Sequence, residues 1–194
     1  MVHIDRIYTR SGDHGETGVG SGERVSKLDL RIVAGGSVDE TNCALGVALA
    51  AGPSTELGQI LTALQQFLFD LGADLCVPLP ISGADPLPAR ITQDHVEKLE
   101  RLIDQFCVPL QPLNSFVLPG GHPAAAALHM ARSICRRAEV DALRLHQKTK
   151  INSLLLISLN RLSDLLFVMA RVANDNGQTD VLWKPGNGLL NSNA

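Results

Sequence analysis

The sequence contains few aromatic residues and few cysteines. Phe, Trp and Tyr make up 4% of the chain, so its core must be filled mainly with Leu, Ala, Val and Ile, a mixture that favours packed helices. No CxxC pair occurs, and the cysteines stand about thirty residues apart, which matches neither a zinc site nor a dense disulfide framework. We therefore predict buried thiols in a reducing compartment at Cys43, Cys76, Cys107 and Cys135.

Long apolar runs and a strong net charge are also absent. No stretch approaches the roughly twenty apolar residues that a membrane span needs, and the N-terminus lacks the apolar core of a signal peptide. A net charge of −3 would not attract a polyanion such as DNA. With 45% hydrophobic and 19% charged residues, the 194-residue chain is typical of one soluble domain. We expect a cytoplasmic protein that binds neither membrane nor nucleic acid.

Several common motifs of catalysis and metal binding are missing as well. The chain has no GxxxxGKS/T loop, no HExxH or ExxH pair and no GxSxG elbow. These absences argue against P-loop enzymes, zinc proteases, di-iron sites and serine hydrolases. We predict surface or helix-capping positions for the six histidines, which are His3, His14, His95, His122, His129 and His146.

The first 26 residues are rich in glycine. Glycines occupy positions 12, 15, 18, 20 and 22, and the segment shows neither a helical nor a strand period. Successive backbone N–H groups without side chains can surround phosphate oxygens, and Lys27 could add a positive charge. A flexible arm ending in a solvated lysine is the alternative that the residues leave open. We predict a loop over 1–26 that is ordered by the fold or by a ligand.

Five later stretches show helical periodicity and end at Gly or Pro signals. The most regular is an apolar stripe from Leu57 to Leu75 that follows the N-cap candidate Ser54. Short connections between such helices predict an all-α fold, a five-helix antiparallel bundle of the ferritin-like type. The predicted helices span 27–51, 54–75, 92–109, 123–148 and 152–176; residues 77–90, with four of the ten prolines, form a surface connection, and 177–194 form a tail.

Polar residues recur at helical spacing on the predicted first, fourth and fifth helices. Arg132, Arg136 and Glu139 stand at i, i+4 and i+7, so they share a face, while Leu128, Cys135 and Ala138 are available to the core. That face is either an anion site or a solvated stripe of ion pairs. Polar groups among apolar neighbours need partners, so we expect cross-helix or cross-subunit contacts for Asp39 with Asn42 and for Asn160 with Asp164.

A series of ordered strings resembles the PduO-type ATP:cob(I)alamin adenosyltransferases, over nearly the whole chain. Strings of this length in this order are far more specific than one short motif. They are YTRSGDHGETG at 8–18, GERVSK at 22–27, GSVDETN at 36–42, QQFLFDLGADL at 65–75, SFVLPGG at 115–121, ARSICRRAE at 131–139, LNRLSDLLF at 159–167, and Trp183 before Pro185 and Gly186.

The resemblance implies a homotrimer of five-helix bundles in which ATP lies between neighbouring subunits. It implies that Asp39 pairs with Arg132 across that interface. Mg²⁺ would accompany ATP, held mainly by the triphosphate. The ATP-binding residues implied are Thr9, Arg10, Ser11, Gly12, Asp13, Thr17, Gly18 and Lys27 from one subunit, with Arg136, Arg137, Glu139 and Asn160 from the next.

The resemblance also explains why no catalytic base is found. In the family, the cobalt of cob(I)alamin is itself the nucleophile and attacks the ribose 5′ carbon of ATP, so the protein positions the substrates and stabilises the leaving triphosphate. Residues expected to matter for catalysis are Arg136, Arg132, Asp39 and Phe116. The phenylalanine corresponding to Phe116 displaces the lower axial base of the corrinoid. A cobalamin reductase and a B12-dependent enzyme are the partners implied.

The start of the first helix and the catalytic function each have an alternative in the sequence. Gly35 stands where the family often has an aromatic residue, and because Gly35 and Gly36 each weaken a helix by about 1 kcal/mol relative to Ala, we expect the first helix to start later than residue 27. A non-catalytic ATP or corrinoid binder, acting as a sensor or delivery protein, is the alternative function. A purely structural bundle is a third, although packing alone does not require the polar loop at 8–27.

Overall fold

The computed structural model describes residues 6–20, 22–80 and 90–186. Five α-helices form a bundle, which confirms the predicted fold class. A two-stranded antiparallel hairpin precedes them. The elements are β1 (Glu16–Gly18), β2 (Arg24–Ser26), α1 (Leu30–Ala50), α2 (Thr55–Cys76), α3 (Gln93–Cys107), α4 (Pro123–Lys148) and α5 (Leu154–Ala173).

The starts of three predicted helices, α2, α3 and α4, are set by local capping chemistry. The Ser54 hydroxyl accepts a hydrogen bond from the Leu57 N–H at the start of α2, as predicted. At α3, the N–H of Thr92 donates to Nδ1 of His95 over 3.1 Å. Pro123 occupies the first position of α4, where its missing N–H costs nothing. These caps lie within a few residues of the groups they satisfy, which is why the sequence predicts them.

The first helix starts later than residue 27, as expected, but the two glycines are not the reason. α1 begins at Leu30, upstream of both Gly35 and Gly36, and runs through them. Asp29 caps its N-terminus through a 2.8 Å bond from the Arg31 N–H. Ala34 and Val38 are buried against the rest of the bundle. Packing of this face therefore outweighs the low helix propensity of the two glycines.

The core lies along α4, which packs against α1 on one side and α5 on the other. Its inward residues Leu128, Cys135 and Ala138 are fully buried, as the periodicity predicts. Small residues on α4 let the neighbouring helices approach closely, and large ones on α5 fill the space between them. The fully buried leucines of α5 are Leu155, Leu159, Leu162, Leu165 and Leu166.

The hairpin gives regular structure to part of the ordered loop predicted over 1–26, whose sequence showed no strand period. β1 and β2 pair antiparallel with Thr17 opposite Val25, and Gly22 adopts a positive φ of 83° in the turn between them. Each strand is three residues long and mostly exposed. Strands this short, interrupted by glycines, carry no readable alternation of polar and apolar residues, so pairing decides their structure.

The predicted burial of the cysteines is wrong for two of the four. Cys43 and Cys107 are exposed and Cys76 is half-buried, whereas Cys135 is fully buried. Burial raises the pKa of the Cys135 thiol to about 12, so it remains protonated and donates to the carbonyl of Leu159. A cysteine tolerates either environment, and its spacing along the chain therefore does not reveal which face it occupies.

A buried polar cluster joins α2 to the starts of α3 and α5. The Asp74 carboxylate, which has no exposed side-chain surface, accepts from Arg90 Nη1 at 2.7 Å and from the Ile91 N–H at 2.8 Å. Asn152 Nδ2 donates to the same carboxylate at 2.8 Å. The cluster fixes the end of the predicted connection 77–90, of which residues 81–89 lie outside the described residues. Residues 77–80 have no regular secondary structure, as predicted.

Helix capping is the role of His95 and His122, as predicted, and His14 is exposed. His129 contradicts the prediction, because it is 2% exposed on α4 and neither ring nitrogen has a hydrogen-bond partner. His3 lies outside the described residues. The ring of His129 lies 6.0 Å from the ring of Phe167, measured between centroids. None of the described helices combines the length and apolarity that a membrane span needs.

We predict that His129 makes the stability of the fold depend on pH. Burial, and then the charge of Arg132, lower the pKa of His129 below its ordinary value, with Asp180 opposing them. The unfolded chain takes up the proton near pH 6.5, whereas the folded chain takes it up only at lower pH. Stability is therefore fully present above about pH 6.5 and falls below it, by at most about 1.4 kcal/mol per pH unit.

The test compares the free energy of unfolding of the wild type and His129→Phe between pH 5 and 7.5. A phenyl ring fills the same space without unpartnered nitrogens, so we expect a flatter pH dependence in the variant. His14→Phe, which changes an exposed histidine, serves as the control and should keep the wild-type slope. Equal slopes in all three proteins would contradict the prediction.

Candidate functional site

The glycine-rich segment and Lys27 come together at the open end of the hairpin. The Lys27 N–H donates to the carbonyl of Gly15 over 2.8 Å. The side chain then folds back over Gly12, so that a Cβ added at Gly12 would lie 3.2 Å from the Lys27 ammonium nitrogen. Lys27 and the glycine backbone, predicted from the sequence to hold phosphates, are therefore neighbours.

The preceding residues are tied to the same hairpin. The hydroxyls of Thr9 and Ser11 lie 2.7 Å apart, and Nη2 of Arg24 donates to the carbonyl of Ser11 over 2.6 Å. Arg10 has a positive φ of 59°, a conformation that few residues other than glycine adopt. Asp13 is exposed. The remaining predicted ligands of this segment, Thr17 and Gly18, lie in β1 opposite Val25 and Arg24.

The outward face of α4 presents two guanidinium groups one turn apart. Arg136 is exposed and Arg132 is half-buried, and Nε of Arg132 is buried without a hydrogen-bond partner. Burial, and then the charge of Arg136, lower the pKa of Arg132. No carboxylate lies within ion-pair distance of either side chain in the described ranges 6–20, 22–80 and 90–186. Like charges without an acidic partner are a site for an anion.

Arg137 points to a different neighbour. Its guanidinium forms an ion pair with the carboxylate of Glu40 on α1, and that hydrogen bond is the main reason why the pKa of Arg137 is raised. Both side chains are about half exposed. The sequence groups Arg137 with Arg136 as a ligand of ATP, but within this chain Arg137 is engaged by α1 instead.

Glu139 and Asn160, predicted as ligands from two helices, are in contact. Nδ2 of Asn160 donates to Oε1 of Glu139 over 3.1 Å. The side-chain oxygen Oδ1 of Asn160 accepts from Nη1 of Arg161 at 2.7 Å. Nε of Arg161 in turn donates to Glu100 on α3 at 2.9 Å. Arg161 thereby fixes which way the amide of Asn160 points. The sequence reasoning missed Arg161 and Glu100, although Arg161 directly follows Asn160.

The polar residues Asn42 and Asp39 of α1 differ in whether they have a partner within the described chain. Asn42 and Gln65 exchange amide-to-carbonyl hydrogen bonds of 3.2 Å in both directions, so a cross-helix partner is present as expected. Asp39 is exposed, and the described part of the chain offers it no ion-pair partner. Asp164 is likewise exposed on α5 without one in those residues. The predicted pair between Asp39 and Arg132 is therefore not formed within one chain.

Phe116 lies on the loop between α3 and α4 with 78% of its surface exposed. Its ring is 6.1 Å from that of Trp183, measured between centroids. The backbone pairs with the C-terminal segment, because the Trp183 N–H donates to the carbonyl of Phe116 at 2.7 Å. Two exposed aromatic rings on a paired backbone form an apolar surface suited to a large flat ligand.

The described residues contain no group of three or more His, Cys, Asp and Glu side chains that could hold a metal ion. The candidate site therefore has three parts: the glycine-rich segment with Lys27, which is predicted to hold phosphates, the cationic face of α4 beside Asn160, and the aromatic surface at Phe116. Within a single chain they lie on separate elements.

Comparison with known proteins finds a matching family model and similar relatives. Residues 7–173 match the model of a family described as cobalamin adenosyltransferase. The chain is 49% identical over 191 residues to a corrinoid adenosyltransferase of Mycobacterium leprae, covering 95% of this chain and 98% of the relative. It is 37% identical over 172 residues to the corrinoid adenosyltransferase PduO of Salmonella typhimurium, covering 88% of this chain and 50% of that protein.

Solved structures agree. A phenylalanine-to-histidine variant of a PduO-type ATP:corrinoid adenosyltransferase from Lactobacillus reuteri, complexed with cobalamin and ATP, superposes with a TM-score of 0.85 at 36% identity, covering 93% of this chain and 97% of that one. An arginine-to-lysine variant of the same type, complexed with ATP, superposes with a TM-score of 0.83. The resemblance seen in the sequence is confirmed, and the chain belongs to the cobalamin adenosyltransferase family.

Proposed function

We propose that this protein transfers the 5′-deoxyadenosyl group of ATP to the cobalt of cob(I)alamin. The observation that carries the proposal is the pair of guanidinium groups on α4, Arg132 and Arg136, which lack an acidic partner in the described chain of a member of this family. Arg136 would bind the triphosphate of ATP, which is a polyanion, while Arg132 would pair with Asp39 across a subunit interface.

The reaction is a nucleophilic displacement. The electron pair of cobalt in the +1 state attacks the 5′ carbon of the ribose and forms the Co–C bond. The bond between that carbon and the triphosphate oxygen breaks, and inorganic triphosphate leaves with the bonding electrons. Cobalt is formally oxidised to the +3 state in the product, adenosylcobalamin. Because the substrate brings its own nucleophile, the protein needs no catalytic base.

The protein must hold ATP in line with the cobalt and stabilise the charge on the departing triphosphate. Lys27 and Arg136 are the cations we assign to that charge, since neither has an acidic partner within the described chain. Backbone N–H groups around Gly12 add hydrogen bonds. We assign the triphosphate to Thr9, Arg10, Ser11, Gly12, Asp13, Thr17, Gly18 and Lys27, and the other contacts with ATP to Arg136, Arg137, Glu139 and Asn160.

Mg²⁺ would be carried mainly by the triphosphate oxygens, because the described residues offer no cluster of three ligands and Mg²⁺ is often held by phosphates with few protein groups. Asp13 is the one carboxylate in the proposed triphosphate-binding set. Arg137 can reach ATP only if it leaves Glu40, and exposed ion pairs of this kind contribute little to stability.

We further propose that the active protein is a homotrimer with ATP between subunits. Asp39 and Arg132 support this proposal, because a carboxylate on α1 and a half-buried guanidinium on α4 each lack a partner within the described chain. Pairing across a subunit interface would satisfy both. The same contact would bring the triphosphate segment of one subunit to the cationic face of the next.

A cytoplasmic location, a reductase that supplies cob(I)alamin and a B12-dependent enzyme that receives the product complete the proposal. The alternative from another class is a sensor or delivery protein that binds ATP or corrinoid without turnover. The exposed Phe116 argues against a protein that binds ATP alone, because such a protein would gain nothing from exposing this ring, and release of triphosphate distinguishes the enzyme from a corrinoid binder.

The decisive experiment is anaerobic conversion of cob(I)alamin with Mg-ATP, followed by the loss of Co(I) absorbance and by released triphosphate. Equal amounts of adenosylcobalamin and triphosphate would establish the enzyme. An unchanged spectrum together with ATP binding would identify a binding protein. If the protein neither converted cob(I)alamin nor bound ATP, a structural bundle would remain.

We predict that Arg136→Ala abolishes turnover while the fold remains intact. Loss of one charged donor to the leaving group costs about 100- to 1,000-fold in kcat. Arg101→Ala, on α3 and 60% exposed, is the matched control and should retain full activity. Steady-state kinetics with circular dichroism tests both variants. Near-normal activity of Arg136→Ala would remove the residue from the site.

We predict that Phe116→Ala impairs the reaction with cobalamin more than the reaction with a corrinoid that lacks the lower base. If the ring displaces the lower base, only the reaction with cobalamin depends on the ring, because the other corrinoid has no lower base. The measurement is kcat/KM for both corrinoids, so the second substrate is the internal control. Equal losses with the two substrates would contradict this role.

We predict that Asp39→Ala and Arg132→Ala each weaken trimer formation and lower activity. Removing one partner of a desolvated pair costs roughly 3–5 kcal/mol, because the other charge stays buried. Sedimentation velocity at several protein concentrations measures the assembly. Exchange of the two charges in Asp39→Arg with Arg132→Asp should recover part of the trimer, and Glu97→Ala on α3 is the control. An unchanged, fully active trimer in Asp39→Ala would refute the pair.

A further inference from the structure

The position of Phe116 is set by its backbone rather than by burial of its side chain. With 78% of the ring surface exposed, packing contributes little to holding it in place. The Phe116 loop, residues 111–122, instead pairs with the C-terminal turn, residues 174–183. The Leu118 N–H donates to the carbonyl of Val181 at 2.8 Å, and Ser115 Oγ donates to the carbonyl of Trp183 at 2.6 Å. The contacts that fix the positions of these two segments therefore also fix the position of the Phe116 ring.

Asn174, immediately after α5, is bonded to the far end of the Phe116 loop. The side chain is almost completely buried, and its Nδ2 donates to the carbonyl of Gly120 at 3.1 Å. Its Oδ1 accepts from the His122 N–H at 2.9 Å. The second Nδ2 hydrogen goes to Oδ1 of Asp180 at 3.0 Å. Both donors and the acceptor of the amide are thus used, which fixes its orientation.

Arg171, one turn earlier, is bonded to the near end of the same loop. Its Nη2 donates to the carbonyl of Gln111 over 3.0 Å, while its Nε donates to Oδ2 of Asp180 over 2.8 Å. The side chains of Arg171 and Asp180 are 9% and 2% exposed, so this ion pair is buried. We call Arg171, Asn174 and Asp180 the Asn174 network. It connects both ends of the Phe116 loop to the end of α5.

Two glycines allow this close approach. Gly121 has a φ of +94°, and a Cβ there would lie 2.2 Å from Oδ1 of Asn174. Gly177 has a φ of +79°, and a Cβ there would lie 2.9 Å from Nη2 of Arg171. The chain therefore accommodates the network at two positions where a side chain would collide with it. A buried ion pair is often no more stabilising than apolar packing, so its value here is the geometry it fixes.

We propose that Arg171, Asn174 and Asp180 are positioning residues that hold Phe116 and Trp183 in place on the corrinoid-binding surface. The inference rests on the proposed function, because reaction with the corrinoid is one of its readouts. No member of the network belongs to the residues we assign to ATP. Disturbing the network should therefore change the use of cobalamin and leave ATP binding as it is.

The test replaces the amide of Asn174 by a carboxylate. Asn174→Asp loses both donors and places a second negative charge against Asp180. We expect kcat/KM for cobalamin to fall about tenfold or more relative to a corrinoid without the lower base, the size of a lost hydrogen bond to a charged group. The dissociation constant for ATP should not change. In a Phe116→Ala background, Asn174→Asp should no longer alter the preference between the two corrinoids.

A matched control lies at the other end of α5. Asn152 has the same pattern of contacts, with Nδ2 donating to Oδ2 of Asp74 and to the carbonyl of Ile91, both at 2.8 Å. Asn152→Asp should destabilise the protein in a similar way without changing the preference between corrinoids. If Asn174→Asp fails to fold, Asp180→Asn keeps the side-chain shape and replaces it in the comparison. Equal preferences in the Asn174 and Asn152 variants, or losses that simply add to those of Phe116→Ala, would overturn the proposal.

A second readout does not depend on turnover. Trp183 is the only tryptophan of the chain and lies beside Phe116, so its fluorescence reports on the proposed position directly. We expect a shift of its emission in Asn174→Asp and none in Asn152→Asp. If the wild type proved inactive but this shift appeared, the proposed function would fail and the positioning role would stand. An unshifted emission would refute the positioning role even in an active enzyme.

Discussion

The packing of α4 determines where the charge of this protein lies. One face of the helix is closed by α1 and α5, with Leu128 and Cys135 fully buried. Arg132 and Arg136 stand one turn apart beside that face, the first half-buried and the second exposed, and the described chain gives them no acidic partner. Their mutual repulsion is outweighed by the burial of the apolar face beneath them. The fold thus leaves two neighbouring guanidinium groups available to anionic groups of another molecule.

How far the sequence predicts the structure depends on the range of the interactions. The helices were predictable because caps such as Ser54 and stripes of leucine act within a few residues. The face of α4 was predictable for the same reason. The hairpin, the burial of His129 and the exposure of Cys43 were not, since strand pairing and burial are decided by residues distant in the sequence.

The same division applies to the candidate site. The sequence motifs identify the family and predict that Lys27, Asn160 and Phe116 belong to the site, but they do not predict which residues each of them contacts. Asn160 is oriented through Arg161 by Glu100, 61 residues earlier than Arg161 in the chain, and no local pattern links the two. Similarly, the ion pair of Arg137 with Glu40 depends on how α1 packs against α4. Such contacts follow from the fold, and the fold alone reveals them.

Both ends of α5 carry an asparagine bonded to a buried carboxylate, one at Asn152 with Asp74 and one at Asn174 with Asp180. Buried polar clusters add little net stability compared with apolar packing, but they accept only one arrangement of their partners. Between these two fixed ends lies Asn160, which we assign to ATP, and the second end holds the loop of Phe116. Displacement at the 5′ carbon requires the cobalt and the leaving oxygen in line, and a small displacement costs much of the rate. A helix fixed at both ends gives the two substrates a common rigid reference, which two independently mobile loops would not provide.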